Sequence, residues 1–218
     1  MSNIQCVNNE KIIIGVDGIS YSGKTTLCNE LKRTRNFIIV DESPKFANIK
    51  IKITSDQNDI LNNSKMTLAI EKERKKFVDN LKDNIFVYDG SIFSFLAISF
   101  AYYKIGIIDY FEEYLYHIIE GLKKDEFSIP DYLIYLKIDN NELQRRITIK
   151  KKHLPDYWIS QKFNLYYNDF LSLIYNFYKK NNRILIKSDI FSMETTIFTK
   201  IEKNDVINFL GGINKCTI

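Results

Sequence analysis

The chain has 218 residues, of which 45% are hydrophobic and 27% charged, with a formal net charge of +4. That is the size of one domain with one sizeable core, and the composition of an ordinary globular protein. The charge suits an anionic small-molecule partner and is too weak to imply nucleic acid without a concentrated basic stripe.

Three cysteines (Cys6, Cys28, Cys216) share no C-x-x-C spacing and read as reduced thiols of a cytoplasmic protein, not as a disulfide or zinc framework. The N-terminal residues are polar and lack the apolar segment of a signal peptide.

The first predicted element is a strand, Ile12–Val16, which runs into Gly18-Ile19-Ser20-Tyr21-Ser22-Gly23-Lys24-Thr25 and then a helix over Lys24–Arg33. This is a complete G-x-x-x-x-G-K-[ST] pattern in the strand–loop–helix setting that gives it meaning. Gly18 and Gly23 let the backbone fold tightly enough for the N–H groups of Ser20, Tyr21 and Ser22 to surround phosphate oxygens. The positive end of the helix, with Thr26 in its first turn, points at the same anion. Lys24 is placed to reach the β- and γ-phosphates of a nucleoside triphosphate, and the Thr25 hydroxyl to hold Mg²⁺.

A second strand, Phe37–Val40, ends in Asp41-Glu42-Ser43-Pro44. A carboxylate there, held by a proline turn, points toward the phosphate site. Glu42 is placed to take a proton from an acceptor hydroxyl or to hold Mg²⁺ through water; an exposed turn carboxylate is the plainer alternative. Asn48–Asn63 is polar and reads as a loop. Lys65–Lys82 has helical character, with Met66, Leu68, Ala69, Phe77, Val78 and Leu81 as its apolar set.

The third strand, Ile85–Tyr88, leads into Asp89-Gly90-Ser91. Asp89 can order metal-bound water or the acceptor, or cap the next helix. The stretch Ser91–Phe111 is long enough to span a membrane, but Lys104, Asp109 and its position after a strand favour a buried helix. A charged helix over Tyr110–Lys123 and a fourth strand, Tyr132–Ile138, follow.

A basic helix, Asn141–Lys151, carries Arg145, Arg146 and Lys150, with Lys151, Lys152 and His153 close behind. Cations that close over a transferring phosphoryl group stabilise its charge and exclude water, so residues 141–157 read as a lid. A solvated basic face is the alternative. The aromatic stripe of Tyr157–Lys179 reads as core, a fifth strand is expected at Arg183–Ile186, and a last helix lies within Glu194–Leu210. His117 and His153 have no partner spacing and receive no role.

Alternating strands and helices, with short apolar strands, predict an α/β fold: a five-stranded parallel sheet with helices on both faces and ligands at the carboxyl ends of the strands. No D-x-x-G follows the third strand and no N-K-x-D follows a later one, which argues against a GTPase switch.

The order of these segments resembles the thymidylate kinase and deoxynucleoside kinase group of P-loop NTPases, over nearly the whole chain. Asp17 matches the acidic residue that group places before its loop, and Glu42 with Pro44 resembles its E-P element with one residue inserted. Asp89-Gly90-Ser91-Ile92-Phe93-Ser94-Phe95-Leu96-Ala97 is similar to the D-R-[YS]-x-x-S-x-L-A stretch, and Arg74 falls where these kinases often keep an arginine near the acceptor. Pro130–Asp139 with Leu143, Arg145 and Arg146 is similar to the fourth strand and lid helix, and Ser188-Asp189 falls in the region that packs on the nucleotide base. Gly90 departs from the pattern, standing where the family has an arginine that contacts the acceptor or its phosphate.

The resemblance implies one kinase-like domain over residues 1–218 with a helical lid, using ATP and Mg²⁺ to phosphorylate a nucleoside or nucleoside monophosphate. Lys24, Glu42, Asp17, Asp89, Arg145, Arg146 and Lys150 would carry catalysis, and Glu42, Arg74, Asp89 and Ser91 would hold the acceptor. A small-molecule acceptor is the expected partner, with no nucleic acid or membrane. A homodimer through the apolar helix after Asp89 is also expected. The alternative is a kinase-like nucleotide-binding protein that regulates without transferring phosphate, for which Gly90 is the best support.

Overall fold

The computed structural model describes residues 11–35, 37–49, 56–82, 85–150, 155–180 and 203–213. The strands are β1 (Ile12–Asp17), β2 (Ile38–Val40), β3 (Ile85–Asp89) and β4 (Tyr132–Tyr135). They form one parallel sheet in the order β2-β3-β1-β4, with Val16 opposite Asp89 and Ile134. Among the described residues the sheet has four strands; the fifth strand expected at Arg183–Ile186 lies outside them.

Between the strands lie the helices α1 (Lys24–Arg35), α2 (Ser43–Phe46), α3 (Gln57–Asn80), α4 (Ile92–Lys104), α5 (Phe111–Lys123), α6 (Asn140–Lys150), α7 (Gln161–Lys180) and α8 (Lys203–Ile213). Strand residues alternate between the two faces. Ile14, Val16, Val87, Ile134 and Leu136 pack with Cys28 and Leu31 of α1, while Phe86 and Tyr88 pack with Val78 of α3. Leu133 and Tyr135 join the largest cluster, built from α4, α5, α7 and α8. Helices therefore cover both faces, as short apolar strands require.

Two sequence readings are corrected. The polar stretch read as a loop up to Asn63 is helical from Gln57, capped by Asp56, whose side chain accepts from the Asp59 N–H at 2.9 Å. Its apolar set is also revised: Ala69 and Phe77 are exposed, whereas Thr67, Glu71 and Arg74 are buried with Ile60, Ile70 and Val78. Within residues 57–63 only Ile60 is buried, so the first turns carry no apolar period, and further on hydrophobic periodicity registers only apolar burial and misses Thr67, Glu71 and Arg74.

The apolar helix α4 begins at Ser91, whose hydroxyl caps it by accepting from the Phe93 N–H at 3.2 Å. Its face carrying Phe93, Leu96, Ala97 and Phe100 is covered by α5 and α7 of the same chain. Among the described residues no helix is long and apolar enough to cross a membrane. The aromatic helix begins at Gln161, four residues later than Tyr157, which lies in a turn with Trp158.

Candidate active site

The loop Gly18–Gly23 leaves the carboxyl end of β1 and enters α1, so its backbone sits at the helix N-terminus. Gly18 is required by close approach: a Cβ there would lie 2.6 Å from both the Leu136 carbonyl and the Ser22 hydroxyl. Gly23 has φ +106 and Tyr21 φ +68, left-handed conformations that turn the chain back on itself. The Ser22 hydroxyl is buried and makes no hydrogen bond. Lys24 folds over the loop, its Nζ donating to the Gly18 carbonyl at 2.8 Å and the Ile19 carbonyl at 3.3 Å.

At the next strand end, the Thr25 hydroxyl donates to Asp89 Oδ2 at 2.7 Å. Asp89 is 2% exposed, and its other oxygen, Oδ1, is buried without a hydrogen-bond partner. A buried carboxylate oxygen normally accepts a hydrogen bond or binds a cation. The pair fits Mg²⁺ chemistry, in which one or two oxygen ligands from protein share the ion with substrate phosphates and water. No larger group of His, Cys, Asp and Glu suited to a metal occurs among the described residues. Cys28 lies under this pair, and burial together with the Asp89 charge pushes its thiol well up, so it stays protonated.

Asp17 and Ser91 are brought together one layer deeper. The Asp17 carboxylate is fully buried and accepts from the Ser91 N–H at 2.7 Å, the Ser91 hydroxyl at 2.5 Å and the Ser94 hydroxyl at 2.5 Å. Burial raises its pKa, and those hydrogen bonds and the Lys24 charge only partly offset the rise. This geometry locks the end of β1 to the start of α4; Asp17 and Ser91 support the site from below.

Arg74 is the sharpest difference from the sequence expectation. It is completely buried, donating to Glu71 at 2.6 Å, to the Gly90 carbonyl at 3.0 Å and to the Val40 carbonyl at 3.2 Å. The guanidinium carbon lies 4.4 Å from the centre of the Tyr88 ring, and the Ser43 hydroxyl donates to Glu71 at 2.5 Å. This network ties α2 and α3 to the ends of β2 and β3. Glu42 stands above it, exposed at the N-cap of α2 with no side-chain cap bond. A Cβ on Gly90, whose φ is +76, would meet Glu42 Cγ at 3.9 Å and Oε1 at 4.0 Å, so Glu42 lies across the end of β3.

The arginines of α6 diverge. Arg146 reaches the loop, donating to the Tyr21 carbonyl at 2.8 Å and the Ser22 carbonyl at 3.0 Å. Arg145 is 62% exposed and pairs with Glu142 at 2.6 Å. Both arginines hold the Glu142 carboxyl down at about 2. Lys150 closes α6, and Lys151, Lys152 and His153 lie outside the described residues, as do Ser188 and Asp189. Thr26 is exposed in the first turn of α1.

Two loop contacts were missed in the sequence. The Trp158 indole N–H donates to the Ser20 hydroxyl at 3.1 Å, and the buried Tyr167 hydroxyl donates to the Gly18 carbonyl at 2.9 Å. Tyr167 sits in a periodic aromatic stripe whose spacing signals only core. Trp158 carries no local signal.

No family model matches the chain. A probable thymidylate kinase of Picrophilus torridus is 29% identical over 148 residues, covering 66% of this chain and 71% of the relative. Among solved structures, deoxyadenosine kinase from M. mycoides with bound dATP is similar at a TM-score of 0.60 and 16% identity, over 93% of this chain and 100% of that one. A thymidylate kinase from Candida albicans is similar at a TM-score of 0.52 and 18% identity, over 94% of this chain and 92% of that one. The chain is thymidylate kinase-like in sequence, and its fold is similar to those of a deoxyadenosine kinase and a thymidylate kinase.

Proposed function

We propose that the chain is an ATP- and Mg²⁺-dependent phosphotransferase whose acceptor is a nucleoside or nucleoside monophosphate. The observation that carries the reading is the Thr25–Asp89 pair at 2.7 Å beside the loop, with Asp89 Oδ1 buried and unpartnered. The kinase relatives named above support the same class of reaction.

Loop N–H groups and Lys24 bind the donor phosphates, with Lys24 releasing the Gly18 and Ile19 carbonyls to do so. Thr25 and Asp89 would hold Mg²⁺, which would supply positive charge to offset that of the donor phosphates. Arg146 turns from the loop carbonyls to the transferring group, and the lid excludes water. Glu42, across the end of β3, orients the acceptor and takes its proton where the acceptor is a hydroxyl.

The test is ADP formation from Mg-ATP in the presence of nucleosides and nucleoside monophosphates. Acceptor-dependent turnover that Lys24→Ala abolishes supports the reading. Acceptor-independent or absent turnover despite ATP binding would sink it in favour of a regulatory nucleotide-binding protein.

A further inference from the structure

We propose that Tyr167 and Trp158 are positioning residues that hold the phosphate loop in shape when Lys24 and Arg146 leave it for the donor; this rests on the donor site of the kinase reading above. Two kinds of side chain donate to the loop. Lys24, on the Gly18 and Ile19 carbonyls, and Arg146, on the Tyr21 and Ser22 carbonyls, are cations. Tyr167, on the Gly18 carbonyl at 2.9 Å, and Trp158, on the Ser20 hydroxyl at 3.1 Å, are neutral aromatics.

Tyr167 and Trp158 are the two ends of one aromatic column. The Trp158 ring stacks on Phe163 with centroids 5.0 Å apart, and Phe163 stacks on Tyr167, one turn along α7, at 6.3 Å. Three phenylalanine rings would serve packing alone. Here only the middle ring is purely apolar; both end rings carry a donor, and both donors reach the loop, on residues two apart.

The two kinds of donor have different fates when phosphate binds. Lys24 and Arg146 carry charge that the phosphates attract away from neutral carbonyls. Tyr167 carries none, and burial holds its pKa well above the ordinary value, so it keeps its proton. Lys24 and Tyr167 share the Gly18 carbonyl in this structure, and Tyr167 is the donor that stays once Lys24 turns to phosphate. In a planar trans peptide the next N–H points opposite to the carbonyl. By holding the Gly18 carbonyl, Tyr167 keeps the Ile19 N–H turned away from itself and toward the anion.

Trp158 acts through Ser20. An indole N–H only donates, so the Ser20 oxygen accepts and the hydroxyl's own proton is left for a phosphate oxygen. A hydroxyl that accepts one hydrogen bond donates the next more strongly.

The experiment uses the full chain and measures the Mg-ATP dissociation constant by calorimetry, the urea midpoint without nucleotide, and acceptor-dependent ADP formation. Tyr167→Phe and Trp158→Phe keep an aromatic ring in the column and remove the donor. Each is expected to raise the Mg-ATP Kd by about 10-fold. The nucleotide-free midpoint should stay unchanged, because Lys24 still donates to Gly18 and water reaches the partly exposed Ser20. Adding Trp158→Phe to Ser20→Ala should change Kd by less than about 2-fold, as an effect routed through Ser20 requires. A lower midpoint with unchanged Kd, or additive losses in the Ser20 pair, would overturn the inference and leave the kinase reading standing. Weaker Mg-ATP binding by the variants of a parent that makes no acceptor-dependent ADP would uphold the inference and sink phosphoryl transfer. No Mg-ATP binding by the parent would overturn both.

Discussion

Arg74 and Asp17 are buried ionisable residues, each held in place by hydrogen bonds to its neighbours. Removing the Arg74 guanidinium leaves Glu71 as a buried carboxylate held only by Ser43 and strips two strand-end carbonyls of their donor. Arg74→Ala is therefore expected to lose about 3–5 kcal/mol of stability, read as a lower urea midpoint. For Asp17, the raised pKa means that the folded protein holds the proton more readily than the unfolded one. Its contribution is fully present below the ordinary value of 3.8 and is lost as pH rises through the raised folded value. The stability of Asp17→Asn relative to the parent should thus improve as pH rises from about 3.5 to about 7. Urea titrations at the two pH values check it, and a difference that worsens with pH would show the serine hydrogen bonds outweighing desolvation.

At the scale of elements, α6 and the turn at Trp158 meet the loop through a pair of contacts. Arg146 of α6 and Trp158 of the following turn donate to Tyr21, Ser22 and Ser20. Arg145 faces solvent on its Glu142 partner. On the proposed reading, Arg146→Ala should lower kcat by about 1000-fold and Arg145→Ala by less than about 3-fold, because only the first side chain touches the loop. Equal losses would mean that the helix rotates to bring both inward. Glu142 stays ionised from its lowered value near 2 upward, so neither lid contact should titrate between about pH 5 and 9 in a kcat profile.

At the scale of the molecule, α5 packs closely enough on the segment before β4 that Gly121 has no room for a side chain. A Cβ there would lie 2.0 Å from Phe127 Cε2. Gly121→Ala must displace that buried ring, at a cost of about 1–3 kcal/mol. A melting temperature lower by about 3–10 °C is expected, with ADP formation at low temperature unchanged, since the clash lies far from the loop. Nothing in the local sequence around Gly121 announces this; Phe127 meets it only because α5 and the following turn fold back together.

The sequence by itself determined the strand–loop–helix start, Lys24, Thr25, Asp89 and the α/β alternation. These are set by short-range rules: backbone freedom at glycine, apolar runs for buried strands, and polar residues at strand ends. It also singled out Glu42 and the basic helix, and the fold places Glu42 beside Gly90 and Arg146 against the loop. The tertiary structure alone decided which charges face inward. Arg74 was expected near the acceptor from its place in the chain, but not as an arginine enclosed by Glu71, Val40 and Gly90. Likewise the inward face of α3 was read from its apolar residues alone, because burial of Thr67, Glu71 and Arg74 depends on partners outside the helix. Desolvation and hydrogen bonding act through space, and a chain position does not encode which neighbours will share it.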